Sequence, residues 1–162
     1  MSNRIVQLSS ALGFDPPQLG EENDEHWRWR LYQEALRNPA VRPILRDVLK
    51  EEQDVSVLIG VVLRAVELCS MDDRASWLDL ASERGESAAV VQRIGDLEII
   101  DHLLAGGDAP DLAELSTWSR WLQGRVTEVT ERREVLQMLA SGSNYKKVRS
   151  RAALRLRQLG EV

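Results

Sequence analysis

His26, His102 and Cys69 are all the soft metal ligands in this chain of 162 residues. A zinc site needs three or four such side chains converging, with at least one pair closely spaced along the chain, and no pair here has that spacing. The Glu-x-x-His arrangement that holds di-iron centres in helical bundles is absent as well. Glu98 and His102 stand four residues apart, which on a helix makes a surface pair worth a few tenths of a kcal/mol rather than a site. Cys69 lies at the end of the most apolar stretch and reads as a small buried hydrophobe. No Gly-x-Ser-x-Gly elbow is present, and Gly106-Gly107 lacks the flanking pattern of a phosphate-cradling turn. Acidic doublets such as Glu21-Glu22 and Asp72-Asp73 read as solvated loops or helix starts. The sequence therefore predicts no catalytic residue, no metal, no cofactor and no enzymatic activity.

Charge and aromatic residues are the chemistry that remains. The net charge is −5, but it is unevenly spread. Residues 120–157 hold ten Lys or Arg against Glu128, Glu131 and Glu134, a local balance of +7, which leaves −12 for the rest. On a helix over 144–159, Lys147, Arg151 and Arg155 form one row at four-residue spacing. Lys146, Arg149 and Arg157 lie on the other flank of an apolar stripe of Val148, Ala152, Leu156 and Leu159. Such a row is either a solvated face or a contact surface for carboxylates or phosphates. Five tryptophans are many for a chain of this size. Trp118 and Trp121, three apart, read as core. Trp29 and Tyr32 lie opposite the Trp27–Leu31 stripe and read either as core or as an exposed contact pair, because Trp and Tyr are enriched at binding centres.

Helices must position these residues. Apolar periodicity follows the helical repeat almost throughout, and no alternating runs bounded by hairpin turns occur. Ile5, Leu8 and Leu12 predict a first helix stopped by Gly13, followed by an extended Asp15-Pro16-Pro17 loop. Further helices are expected over 24–37, from Ile44 to Leu49, over 55–69, 73–82, 87–95 and 96–104 (with a continuous helix over the last two as the alternative), from Asp111 through Leu122, and over 130–140 and 144–159. The 55–69 stretch is rich in β-branched residues, yet Ser56, Gly60, Arg64 and Glu67 form one narrow helical stripe with apolar residues elsewhere. It reads as the central buried helix, capped by Asp54. The longest apolar run is interrupted by Arg64 and Glu67 and is too short to span a bilayer. With one cysteine and no signal-peptide pattern, the expected compartment is the cytoplasm. Eighteen arginines against three lysines suggest a GC-rich, bacterial-like genome.

The chain also repeats itself. An offset of 91 residues places Ile44, Leu45 and Val48 on Val135, Leu136 and Leu139, then Val57 on Val148, Leu63 on Leu154, Arg64 on Arg155 and Leu68 on Leu159. A weaker copy runs through Trp77, Leu78, Ala81, Val90, Val91 and Ile94. On Val135-Leu136, Leu139, Val148-Arg149, Ala152-Ala153, Leu156 and Leu159-Gly160, the C-terminal segment resembles a HEAT-type repeat. The resemblance implies stacked antiparallel helix pairs whose second helices line a concave surface contacting proteins or nucleic acids. The middle copies lack the Val-Arg pair, and 55–69 is more apolar than such a surface helix.

The sequence thus predicts one all-α domain, with an N-terminal helix and Pro-rich loop over 1–23 and a helical-repeat core over 24–162. Its architecture is a short HEAT-like stack of helix pairs, with an orthogonal helical bundle as the alternative. The expected function is a protein–protein interaction module, an adaptor, regulator or assembly factor. Trp29, Tyr32, Lys147, Arg151 and Arg155 are its expected contact residues. The partner is expected to be a protein, with an acidic one among the options, and not a membrane; self-association through the charge asymmetry is open. Nucleic-acid binding through 120–157 is the second reading.

Overall fold

The computed structural model describes residues 3–15 and 25–160, so the expected loop at Pro16-Pro17 lies outside the described residues. The fold is all-helical, and among the described residues there is no strand. The helices are α1 (Asn3–Leu12), α2 (Glu25–Arg37), α3 (Arg42–Leu49), α4 (Val55–Leu68), α5 (Met71–Ser82), α6 (Ala88–Leu104), α7 (Leu112–Thr117), α8 (Arg120–Val129), α9 (Arg133–Gly142) and α10 (Lys146–Gln158), with a 3-10 turn at Pro39–Val41. None among the described residues is long and apolar enough to cross a membrane.

Where the expectation was one core, the chain divides into two compact units, Met1–Ile94 and Gly95–Val162. The division falls inside α6, at Ile94 and Gly95, so no proline-rich or polar linker marks it in the sequence. Each unit has its own apolar interior. In the first, Leu31, Leu36, Leu45, Leu49, Leu58, Val61 and Val62 have no or almost no exposed surface; in the second, Leu115, Leu122, Leu136 and Leu139 are equally buried.

α4 forms as its stripe predicts. The Asp54 carboxylate accepts the amides of Ser56 (2.8 Å) and Val57 (3.1 Å), satisfying two of the four orphan donors of the first turn. Val57, Leu58, Val61, Val62, Ala65 and Val66 turn inward, while Ser56 and Arg64 face solvent. One expected helix is in fact two. The chain leaves helical geometry at Trp118 (ψ 137°), and Ser119 starts α8 by accepting the amide of Leu122 at 3.0 Å. The Ser119 hydroxyl donates to the Asp96 carboxylate at 2.6 Å, so the break is held by a residue far away in sequence.

The 91-residue offset has structural counterparts. α9 starts 91 residues after α3 (133 against 42), and α10 starts 91 after α4 (146 against 55). The same offset also relates α2 to α8, placing buried Trp27, Leu31 and Ala35 on buried Trp118, Leu122 and Val126. It relates two buried polar ties. The Tyr32 hydroxyl donates to the Glu52 carboxylate at 2.8 Å, and the other Glu52 oxygen accepts the Asp54 amide at 3.0 Å. At the matching positions the Ser143 hydroxyl donates to the Gln123 side-chain oxygen at 2.6 Å and accepts the Tyr145 amide at 3.1 Å. In both units the first helix (α2, α8) packs on the third (α4, α10). The middle helices differ: α9 packs directly on α10, whereas α3 packs chiefly on α1 and α2, and α4 on α5 and α2. The helix pair expected at 44–68 is therefore not a closely packed hairpin.

Arg28 adds an ion pair to Glu52 at 3.1 Å. Burial, reinforced by the Glu52 charge and hydrogen bond, pushes the Tyr32 hydroxyl far above its ordinary value of 10.0, while Arg28 opposes the shift. Because the folded chain holds that proton after the unfolded chain has lost it, Tyr32 contributes stability below pH 10 that declines as pH rises further. Tyr32→Phe is expected to cost about 1–2 kcal/mol at neutral pH. It is also expected to flatten the alkaline fall in stability, both read by urea unfolding between pH 7 and 11.

Candidate basic groove

The basic segment and the aromatic excess meet in the second unit. α8 and α10 bound an open groove of about 560 Å3, lined by Arg120, Trp121, Arg125 and Glu128 from α8 and by Lys147 and Arg151 from α10, with Gly124 and Val148 at its base. Four cations stand against one carboxylate. Arg125 donates to Glu128 at 3.2 Å, three residues away on the same helix, and Arg151 reaches the same carboxylate across the groove at 3.4 Å. All three are about half exposed or more, so these contacts are solvent-screened and weak. Arg120 lies over the Tyr145 ring, 5.9 Å from its centre, a cation–π geometry that orients it without neutralising it. Trp121, expected in the core, is half-buried at the groove wall, whereas Trp118 is buried as predicted.

The α8–α10 packing fixes this geometry. Val126 and Leu122 point inward from α8, and Val148 and Ala152 from α10. Leu156 and Leu159, expected in the buried stripe, are only half-buried. Gln123 anchors the assembly from α8, its amide donating to the carbonyls of Leu115 and Trp118 (3.2 Å each) while its oxygen accepts from Ser143.

Of the five expected contact residues, the structure brings together Lys147 and Arg151. Arg155 continues their row, but its guanidinium is half-buried and donates to the Thr130 carbonyl at 3.0 Å, stapling α10 to the end of α8. Tyr32 has no exposed surface and is bonded to Glu52, which removes it from any contact surface. Trp29 is 39% exposed and belongs to the first unit, where it lines the matching groove between α2 and α4 with Glu25, His26, Arg30, Ser56 and Gly60. Its indole lies on Gly60; a β-carbon there would come within 3.1 Å of the ring. From the sequence, Arg120 and Arg125 are expected only as part of the basic 120–157 segment and Trp121 as core, because the expected helix runs no further than Leu122 and Trp121 has core spacing from Trp118.

The two grooves share a framework but not their chemistry. Where the second carries Arg120, Lys147 and Arg151, the first carries Trp29, Ser56 and Gly60 at the same offset. The framework does not require those cations. Compared with known protein families, curated proteins and solved structures, the chain matches none.

Lys147→Ser, which installs the first unit's residue, is expected to change stability by less than about 0.5 kcal/mol. Arg155→Ala is expected to cost about 1 kcal/mol through the lost bond to Thr130. Thermal unfolding of the two variants in parallel separates a surface cation from a structural one.

Proposed function

We propose that the protein is a non-enzymatic interaction module that binds an acidic segment of a partner protein in the α8/α10 groove. The observation that carries this reading is the clustering of Arg120, Arg125, Lys147 and Arg151 around the half-buried Trp121, with Glu128 as the sole carboxylate lining the groove. Arginine forks accept carboxylates in bidentate fashion, and a tryptophan flank supplies apolar area at low entropic cost. An acidic helix or strand with interspersed apolar residues matches both features. The first unit supports the reading as an internal comparison, since its α2/α4 groove carries Trp29, Ser56 and Gly60 at the positions of Arg120, Lys147 and Arg151. In this proposal the two three-helix sets are copies of one HEAT-like unit, the second of which has acquired the charged groove. The setting proposed is the cytoplasm.

Phosphates would engage the same arginines, but the chain's net charge of −5 opposes a long polyanion more than a short acidic peptide. The test titrates the protein with a short labelled peptide rich in Glu and Asp with leucines at helical spacing, and with a single-stranded oligonucleotide of equal charge. Peptide binding is expected to weaken as salt rises, and Arg120→Ala/Lys147→Ala/Arg151→Ala to lower peptide affinity between about threefold and 150-fold at low salt, as three surface charge contacts of about 0.2–1 kcal/mol each imply. Tighter binding of the oligonucleotide would overturn the assignment to an acidic protein partner, and no peptide binding at low salt would dispose of the groove as the contact surface.

A further inference from the structure

Glu128 stands where the groove's ligand should go. Among the described residues it is the only acid lining the groove, and it sits between two guanidiniums from opposite walls, Arg125 at 3.2 Å and Arg151 at 3.4 Å. The fold does not demand a carboxylate there. At the matching positions of the first unit, Glu34 and Arg37 make the same three-residue ion pair with reversed polarity, Arg37 occupying the position of Glu128. In the first unit the residue matching Arg151 is Gly60, so no second cation is available from α4 at that point. The bridge across the groove is thus particular to the basic groove.

We propose that Glu128 is an internal stand-in for a partner carboxylate: an Asp or Glu of the bound segment displaces it from Arg125 and Arg151. This inference rests on the groove being the binding surface. The exchange is chemically even, one carboxylate for another, with no proton transferred and no change in the number of charge-assisted bonds available. The bridge is exposed and therefore weak, so displacement is inexpensive, while its presence lowers the groove's positive charge from four to a net three. Glu128 then sets two properties. It holds back affinity for weakly acidic segments that cannot compete with it, and it keeps Arg125 and Arg151 directed into the groove before the partner arrives.

The test compares the wild type with Glu128→Gln, which keeps the side chain's size and removes its charge. With the acidic peptide, E128Q is expected to bind about three- to tenfold more tightly at low salt and to show a steeper loss of affinity with salt, since no internal carboxylate then screens the arginines. Its thermal midpoint is expected to stay close to wild type, because an exposed ion pair contributes little. Adding Arg125→Ala and Arg151→Ala to E128Q should abolish the gain. If the wild type binds the peptide and E128Q binds it equally or more weakly, the stand-in role is overturned while the groove assignment survives. If neither binds, both fall together. A gain confined to the oligonucleotide, with peptide affinity unmoved, also overturns the inference, because it separates Glu128 from carboxylate recognition.

Discussion

The helices α2 and α8 each carry a buried polar side chain that must be satisfied from the link two helices on, and the surrounding structure is arranged to satisfy it. Tyr32 on α2 buries its hydroxyl by donating to the Glu52 carboxylate, in the link between α3 and α4, at 2.8 Å. For Gln123 on α8 the direction is reversed: the Ser143 hydroxyl, in the link between α9 and α10, donates to its side-chain oxygen at 2.6 Å. Leaving such a group unpaired inside a core costs about 1–3 kcal/mol. Each tie therefore fixes where the link runs. Because the linking side chain also accepts an amide two residues later, at Asp54 or Tyr145, it fixes where the third helix begins. The space between first and third helices follows from that, and in both units it is a groove.

Shared framework and divergent lining together give the functional reading its weight. Packing and hydrogen bonding explain Leu31, Leu122, Tyr32 and Gln123. They do not explain why Lys147 and Arg151 stand where the first unit has Ser56 and Gly60. Cations at positions where the first unit has none, gathered around a partly exposed tryptophan, are what the proposed binding of an anionic partner rests on. Arg155 shows the contrast within one row of α10: one turn further on, the same residue type is spent on the Thr130 carbonyl.

Much of the architecture was legible because it rests on local rules. The Asp54 cap, the polar stripe of α4 and the 91-residue echo follow from residue type and spacing alone. What escaped depends on partners distant in sequence. The break between α7 and α8 is held by the hydroxyl of Ser119 on Asp96, 23 positions away, and nothing near Trp118 forecasts it. Tyr32 lies on a second helix face that looked available for contact, but a carboxylate 20 residues on draws it into the core. The groove was half legible. Its α10 wall, Lys147 and Arg151, stood out as a charged row, while its α8 wall was concealed by that unforeseen break, which rotates Trp121 away from the interior position its spacing with Trp118 suggests.

We propose the α8/α10 groove, and not the matching α2/α4 groove, as the surface that meets an anionic partner. Backbone and indole NMR shifts followed during titration with the acidic peptide test it most directly. Shifts are expected to concentrate on Arg120–Val129 and the first two turns of α10, with the Trp121 indole among the largest and Trp29 unmoved. Shifts centred on Trp29, Ser56 and Gly60, or spread without regard to either groove, would contradict it.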